Sequence, residues 1–314
     1  MTSSMSASAE VIPAEQLGRV HLIGIGGIGM SALARLLLSR GIPTSGSELK
    51  DWPALAGLRA LGGTIYMRHD PSNLDGVDTV VYSSAIPADH VELVEARARG
   101  LRILHRSEAL ASAMVGRKTI AVAGTHGKTT TTSMVTSILQ QAGLDPSYVV
   151  GGEIAEAGAN AHHGTGEHFV LEADEHDRSF LNYRPNIAII TNIDADHLNT
   201  YGDLAGLADA FFEFGRLVGP SGLVVTWADD PLTRELADRA RAAGLRVETY
   251  GEAEDATLRV TDLRSDTGAA RYRALLDGEP LGEITLSVPG RHLGLNSAAA
   301  ALVALRLGVP TATV

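Results

Sequence analysis

From Arg19 onward the chain alternates short unbroken apolar runs with longer segments whose apolar residues recur every three or four positions. The first kind suits strands buried on both faces, and the second suits amphipathic helices. Val20–Ile25 is a run of the first kind, while Met30–Arg40 carries Leu33, Leu36 and Leu37 at helical spacing and stops at Gly41. A short strand near Thr44, a helix around Pro53–Leu61, a strand at Thr79–Tyr82, a helix at Asp89–Arg99 and a strand at Arg102–Leu104 are expected next. Together they predict a small doubly wound α/β unit of about 110 residues.

A second unit opens at Lys118. Thr119–Ala123 reads as a buried strand and Lys128–Ala142 as a helix with Met134, Val135, Ile138 and Leu139 inward, closed by Gly143. Strands are expected at Phe169–Ala173, Ile187–Asn192 and Leu223–Trp227, with helices near Leu204–Val218 and Pro231–Ala243. Over residues 256–288 polar and apolar positions alternate about Asp277-Gly278, which predicts an antiparallel hairpin extension. Leu295–Leu307 is a last apolar helix. The expected boundary near Met114–Arg117 gives domains over 18–116 and 117–314, behind a leader, 1–17, that reads as disordered.

Composition narrows the function. At 45% hydrophobic and 20% charged, the 314 residues read as globular protein. The formal net charge of −11 argues against a nucleic-acid partner, which needs a basic face to release counterions. A phosphate site needs only local N–H groups and one or two cations. The lack of cysteine excludes disulfides, thiolate catalysis and Cys-based zinc sites. No apolar run approaches the ~20 residues of a membrane span, and residues 1–16 lack the basic start and apolar core of a signal peptide. A cytoplasmic protein with no membrane partner is the default reading. The lysines are only Lys50, Lys118 and Lys128, so one inside a glycine loop stands out.

Gly24-Ile25-Gly26-Gly27-Ile28-Gly29 has the form G-x-G-x-x-G between a strand and a helix. Such glycines let the backbone turn tightly and approach a diphosphate, which then sits at a helix N-terminus. Glu48 follows Gly29 by 19 residues, just past the next short strand. An acid there accepts from a ribose hydroxyl in dinucleotide folds, with a solvated surface acid as the alternative reading. NAD, FAD and a UDP-sugar all remain open at this point.

Gly124-Thr125-His126-Gly127-Lys128-Thr129-Thr130 is the stronger signal. Following a strand and opening a long helix, it offers N–H groups to phosphates, a lysine to the β/γ oxygens and a threonine hydroxyl to Mg²⁺. Val122 stands where the general P-loop pattern has its first glycine, so this is a shortened variant. Glu172-Ala173-Asp174-Glu175-His176-Asp177 places four carboxylates at a strand's end, a costly crowd without a cation. Thr191-Asn192-Ile193-Asp194-Ala195-Asp196-His197 adds two acids and a histidine at the same sheet edge. Zinc is disfavoured, since His162-His163 is an adjacent pair and the other histidines lack zinc-site spacing.

These pieces together resemble the Mur ligase family of peptidoglycan synthesis, over roughly residues 18–310. The residues that carry the resemblance are Gly24–Ala34, Ser45–Glu48 and Ser83–Pro87, then Gly124–Thr132, Glu172–Leu181, Thr191–His197 with Tyr201, and Pro289–His292 with Asn296. The resemblance implies a Rossmann-like N-terminal domain that binds UDP-N-acetylmuramate, not NAD. It implies a P-loop central domain that binds ATP, with a mostly parallel sheet and a small antiparallel extension. It further implies that the lactyl carboxylate attacks the γ-phosphate, and that the amine of L-alanine displaces phosphate from the acyl phosphate. Carried over by position, Gly26, Gly27, Ile28, Gly29, Met30, Ser47, Glu48, Ser84 and Ala85 would contact the UDP-substrate. Gly124, Thr125, His126, Gly127, Lys128, Thr129, Thr130, His292 and Asn296 would contact ATP. Lys128, His126 and Asn192 would be catalytic, and Thr129, Glu172 and His197 would hold Mg²⁺ or a second metal.

Some positions depart from the family pattern: Glu48 for a common aspartate, His176 for serine, Asn199 for aspartate and Leu293 for asparagine. No lysine follows Lys128, so a carbamoylated lysine is excluded. Family members carry a third domain, and Val314 falls where it should begin; the expectation is a two-domain chain that binds both nucleotides and ligates poorly. Three rivals remain: a tripeptide-recycling ligase, an NAD-dependent dehydrogenase and a nucleotide-binding module without turnover.

Overall fold

The computed structural model describes residues 11–154, 159–196 and 198–314. The chain divides into two compact units, Met1–Gly116 and Arg117–Val314. The first contains β1 (Val20–Ile23), α1 (Ile28–Ser39), β2 (Thr44–Ser47), α2 (Pro53–Ala60), β3 (Thr64–Tyr66), β4 (Thr79–Tyr82), α3 (Val91–Ala98), β5 (Arg102–His105) and α4 (Arg106–Met114). Its five strands lie in the order β3-β2-β1-β4-β5, and every pair is parallel. The order reverses direction between β1 and β4, which opens a crevice at the C-terminal end of β1.

The expected disordered leader needs correcting at its end. Ala14–Gln16 forms a 3-10 turn, and Ala14 and Leu17 are fully buried. The Leu17 carbonyl accepts from the Thr79 hydroxyl (2.6 Å), and Arg40 pairs with Glu15. Two apolar residues three apart are too few to give a periodic signal. The first ten residues lie outside the described ones.

The second unit contains β6 (Lys118–Ala123), α5 (Lys128–Gln141), β7 (Ser147–Ile154), β8 (Ala159–His162), β9 (His168–Glu172), β10 (Ile187–Ile190), α6 (Leu198–Tyr201) and α7 (Leu204–Arg216). It continues with β11 (Leu223–Trp227), α8 (Pro231–Ala242), β12 (Arg246–Gly251), β13 (Leu258–Ser265), β14 (Ala270–Leu276), β15 (Glu279–Leu286) and α9 (Arg291–Arg306). Ten strands run in the order β15-β14-β13-β12-β11-β10-β6-β9-β7-β8. The segment from β13 to β7 is parallel, and the two ends are antiparallel. The predicted hairpin is β14–β15, turned by Asp277 and Gly278 at φ 53° and 86°, the pair of left-handed residues that a tight two-residue turn demands.

Helix ends follow local chemistry. The Asp230 carboxylate accepts from the Leu232 and Thr233 N–H groups ahead of Pro231, and Asp203 accepts from Gly206. The core of the second unit joins Ile120, Val122, Val170, Ile189 and Val225 of the sheet to Val135 and Leu139 of α5 and to Ala298–Ala304 of α9. Alanines at four successive α9 positions let that helix lie close to its neighbours. Across the sheet, Phe211 and Phe214 of α7 meet Phe180, with ring centroids 5.8 and 5.1 Å away. No helix among the described residues is long and apolar enough to cross a membrane. Because Phe211 is fully buried in this aromatic group, Phe211→Ala should destabilise the fold by about 3–5 kcal/mol. Urea unfolding checks this, and a loss below about 1 kcal/mol would contradict the packing described.

Candidate functional site

In the first unit β1 runs into a glycine turn, and α1 begins at Ile28 with Gly27 as its N-cap. Gly24 takes φ 72°, and the Ser47 carbonyl accepts from the N–H groups of Gly24 (2.9 Å) and Ile25 (3.1 Å). One Glu48 oxygen accepts from Gly26 N–H (3.1 Å) and the other from Leu49 N–H (2.8 Å). Bulk at this loop is forbidden by its neighbours. A Cβ on Gly26 would lie 2.1 Å from the Trp52 ring, and one on Gly29 would lie 2.9 Å from the Arg106 guanidinium. Arg106, which opens α4, thus supplies a cation at the loop that the sequence pattern did not single out. Ile28 is exposed, whereas the Met30 side chain is buried, so Met30 offers the groove its backbone alone. Ser84 and Ala85 are exposed just beyond β4, with the Ser84 hydroxyl 3.1 Å from the His105 ring.

A buried polar network fixes the end of β2. The Glu92 carboxylate is fully buried and accepts from the Ser47 hydroxyl (2.5 Å), the Asn73 amide (2.7 Å) and Asp70 N–H (3.3 Å). His21 and His69 bring ring nitrogens to 3.6 and 3.5 Å of it. The Ser47 hydroxyl therefore faces into the fold, and Ser47 serves the groove through its carbonyl. Burial alone would raise the Glu92 pKa, but hydrogen bonds from His21, Ser47 and Asn73 overcome it and bring the carboxyl down to about 2. His69, His90 and Glu92 hold potential ligand atoms within 4.8 Å of one another. Yet His90 Nδ1 accepts from Glu92 N–H and caps α3, which gives the cluster a structural role. Burial, and then the charge of His69, lower the His90 pKa.

In the second unit β6 ends in Gly124, and Gly127 caps α5 with φ 82°. The residues after β10 grip this loop. Asn192 takes the His126 N–H on its amide oxygen and donates its NH₂ to the His126 carbonyl, each at 2.9 Å. The Asn192 carbonyl accepts from Thr125 N–H (3.1 Å), and the Thr191 hydroxyl donates to the His126 carbonyl (2.7 Å). A Cβ on Gly124 would fall 2.1 Å from that hydroxyl, and one on Gly127 would fall 2.9 Å from the Asn296 amide. Asn296 of α9 therefore walls the loop. His292, one turn earlier on α9, is exposed beside Gly290.

The Lys128 ammonium donates to the Gly124 carbonyl (2.7 Å) and meets both Glu175 oxygens at 2.9 and 3.0 Å. Glu175 is 1% exposed. Burial raises its pKa, and the charge of Lys128 opposes that rise. The Thr129 hydroxyl bonds Glu172, whose other partner is Gly151 N–H (2.7 Å). Burial raises the Glu172 pKa as well, the behaviour of a carboxylate short of positive charge. Two hard oxygen donors side by side beside a phosphate loop suit Mg²⁺. His126 is exposed, with its ring 3.7 Å from Asp194, and Thr130 follows half-buried in α5. His197 lies outside the described residues. Tyr201 and Thr200 of α6 donate to the carbonyls of Glu175 and His176, tying the acidic loop down.

The structure therefore gathers the loop residues 124–129, Glu172, Asn192 and Asn296 at one sheet edge, and Gly26–Gly29, Glu48, Ser84 and Ala85 at another. It adds Arg106, Glu92 and Glu175. Only Glu175 lay in a stretch flagged beforehand, as one of four carboxylates with nothing to mark which would turn inward.

Residues 19–118 match the model for the Mur ligase family, catalytic domain, and residues 122–304 match the Mur ligase middle domain. The chain is 69% identical over 299 residues to a UDP-N-acetylmuramate--L-alanine ligase of Salinispora arenicola, covering 95% of this chain and 58% of that protein. A protein of the same name from Acidothermus cellulolyticus is 50% identical, with coverage of 99% and 65%. The chain thus spans about three fifths of the length of these curated relatives. Among solved structures, UDP-N-acetylmuramate-alanine ligase MurC from Thermotoga maritima matches with TM-score 0.80 and 33% identity, over 94% of this chain and 66% of that one. UDP-N-acetylmuramate:L-alanyl-gamma-D-glutamyl-meso-diaminopimelate ligase from Neisseria meningitides matches with TM-score 0.84 and 29% identity, over 95% and 96%.

The Glu92 network makes a pH-dependent contribution. Its folded pKa lies below the ordinary 4.5, so its charge stabilises the fold above that value and the contribution fades as pH falls toward about 2. Urea midpoints of the protein and of Glu92→Gln should differ at about pH 6 and converge by about pH 2.5. A gap that stays constant with pH would contradict this account.

Proposed function

The chain belongs to the Mur ligase family, and on that premise we propose ATP-dependent ligation of L-alanine to the lactyl carboxylate of UDP-N-acetylmuramate. The observation that carries the reading is the P-loop lysine seated beside a Thr129–Glu172 pair of hard oxygen donors. The 69% identity to an alanine-adding relative supports the choice of amino acid.

The first unit binds the UDP moiety. Backbone N–H groups at Ile28–Met30 face the diphosphate at the start of α1, past the tight turn of Gly26 and Gly27, and Arg106 supplies positive charge beside Gly29. The second unit binds ATP. The N–H groups of Gly127–Thr130 cradle its phosphates, Lys128 neutralises the γ-phosphoryl oxygens, and Asn296 with His292 closes the side formed by α9. Thr129 and Glu172 would hold Mg²⁺, with His197 serving a second metal; the ion would supply charge neutralisation on the transferring group. The lactyl carboxylate oxygen attacks the γ-phosphorus, and ADP leaves. The alanine amine then adds to the acyl carbon, loses a proton and expels phosphate. Asn192 keeps His126 in place beside this chemistry.

A second reading, transfer of a preformed tripeptide to the same substrate, draws on the backbone likeness to the Neisseria ligase. Phosphate release with L-alanine against tripeptide separates the two. Titration of the chain with UDP-N-acetylmuramate and with Mg-ATP tests the premise that each unit holds one nucleotide. Lys128→Ala should lower phosphate release by ~10²–10³-fold or more, yet leave UDP-N-acetylmuramate binding within about twofold, because the UDP group is held by residues of the other unit. Equal loss of both would reject the assignment of one nucleotide to each unit.

A further inference from the structure

Trp52 is the one Phe, Tyr or Trp side chain among the described residues that stands exposed, at 44%, and the exposed Leu49 and Met67 accompany it. Single exposed apolar residues are commonplace, but this ring has a particular place. A Cβ on Gly26 would meet Trp52 Cδ1 at 2.1 Å and Glu48 Oε2 at 2.8 Å, so indole and carboxylate are neighbours over the same loop glycine. The backbone beneath the ring is fixed. Trp52 is the N-cap of α2 in extended conformation, Pro53 sets the first helical position, and the Trp52 carbonyl accepts from Leu55 N–H (3.0 Å). The Lys50 ammonium lies 5.6 Å from the ring centroid.

We infer that Trp52 is the platform on which the nucleobase of the UDP-substrate stacks. The inference rests on the proposed reading of the first glycine loop as a nucleoside-diphosphate site. A diphosphate on the N–H groups of that loop brings the ribose toward the acid at the end of β2, which is Glu48. The base is bonded to that ribose, so it lies within one sugar's width of Glu48, where the exposed Trp52 ring stands. Stacking there takes apolar area of both rings out of water. Lys50 places positive charge over the ring, complementary to the diphosphate.

The chain holds two tryptophans, Trp52 and Trp227, so a Trp227→Phe protein reports Trp52 alone. Titration with UDP should quench its emission to saturation, whereas inorganic pyrophosphate, which has no base, should bind without quenching. Trp52→Ala should weaken UDP roughly 10- to 100-fold and leave pyrophosphate binding unchanged, and Trp52→Phe should stay within about threefold of the parent. UDP binding that is equal in Trp52→Ala and in the parent, with no change in Trp52 emission, would overturn the stacking role and leave the UDP reading standing. Equal loss of UDP and pyrophosphate in Trp52→Ala would also overturn it, since the damage would then lie in the loop. If the unaltered chain binds no UDP, both fall together.

Discussion

The Lys128 ammonium has little water around it, and the second unit is arranged about the partners that replace that water. Two loop carbonyls and a buried carboxylate receive it. Breaking a pair of this kind by removing one member strands the other charge in a poor solvent, a loss of roughly 3–5 kcal/mol. The lysine can reach those partners only because Gly124 and Gly127 bend the backbone in ways a side chain would forbid. The same bends leave loop N–H groups free at the start of α5. Glu175 therefore holds a cation at the place where the loop offers N–H groups to phosphate.

The two units solve one problem twice. Each is built on parallel strands whose order turns back on itself, beside β1 in one and β6 in the other. A glycine loop follows that strand in both. What differs is the chemistry around the loop. The first has an arginine, an indole and a carboxylate whose oxygens are already engaged by backbone N–H groups. The second has a lysine, a threonine hydroxyl and two carboxylates pushed by burial toward their neutral forms. On the proposed reading, the first set holds a diphosphate without reaction and the second handles charge that moves.

Much of this was legible because the loops carry unusual local patterns. One of only three lysines directly after a loop glycine, or a glycine repeat after Val20–Ile23, survives any uncertainty about boundaries. The long helices were equally plain, since α5 and α7 carry strong apolar stripes. The misses have physical causes. β3, β7, β8 and β12 mix polar and apolar residues too briefly to show a period, and α4 is a short mix of small, polar and apolar residues buried nearly all round, so it shows no face. Glu92 sits in a helix beside Glu95 and Arg97 and reads as one more solvated charge. Only the fold turns it toward Ser47, Asn73 and two histidines. Position along a sheet edge, which decides which acid meets Lys128, is a property of three-dimensional neighbours that residue order does not record.

Asn296 has a consequence for how the protein is made. It stands on the last helix and braces Gly127, a residue that emerges from the ribosome far earlier. The loop therefore waits, unwalled on one side, until nearly the whole second unit has been synthesised, and a nascent chain halted before α9 carries the motif without its brace.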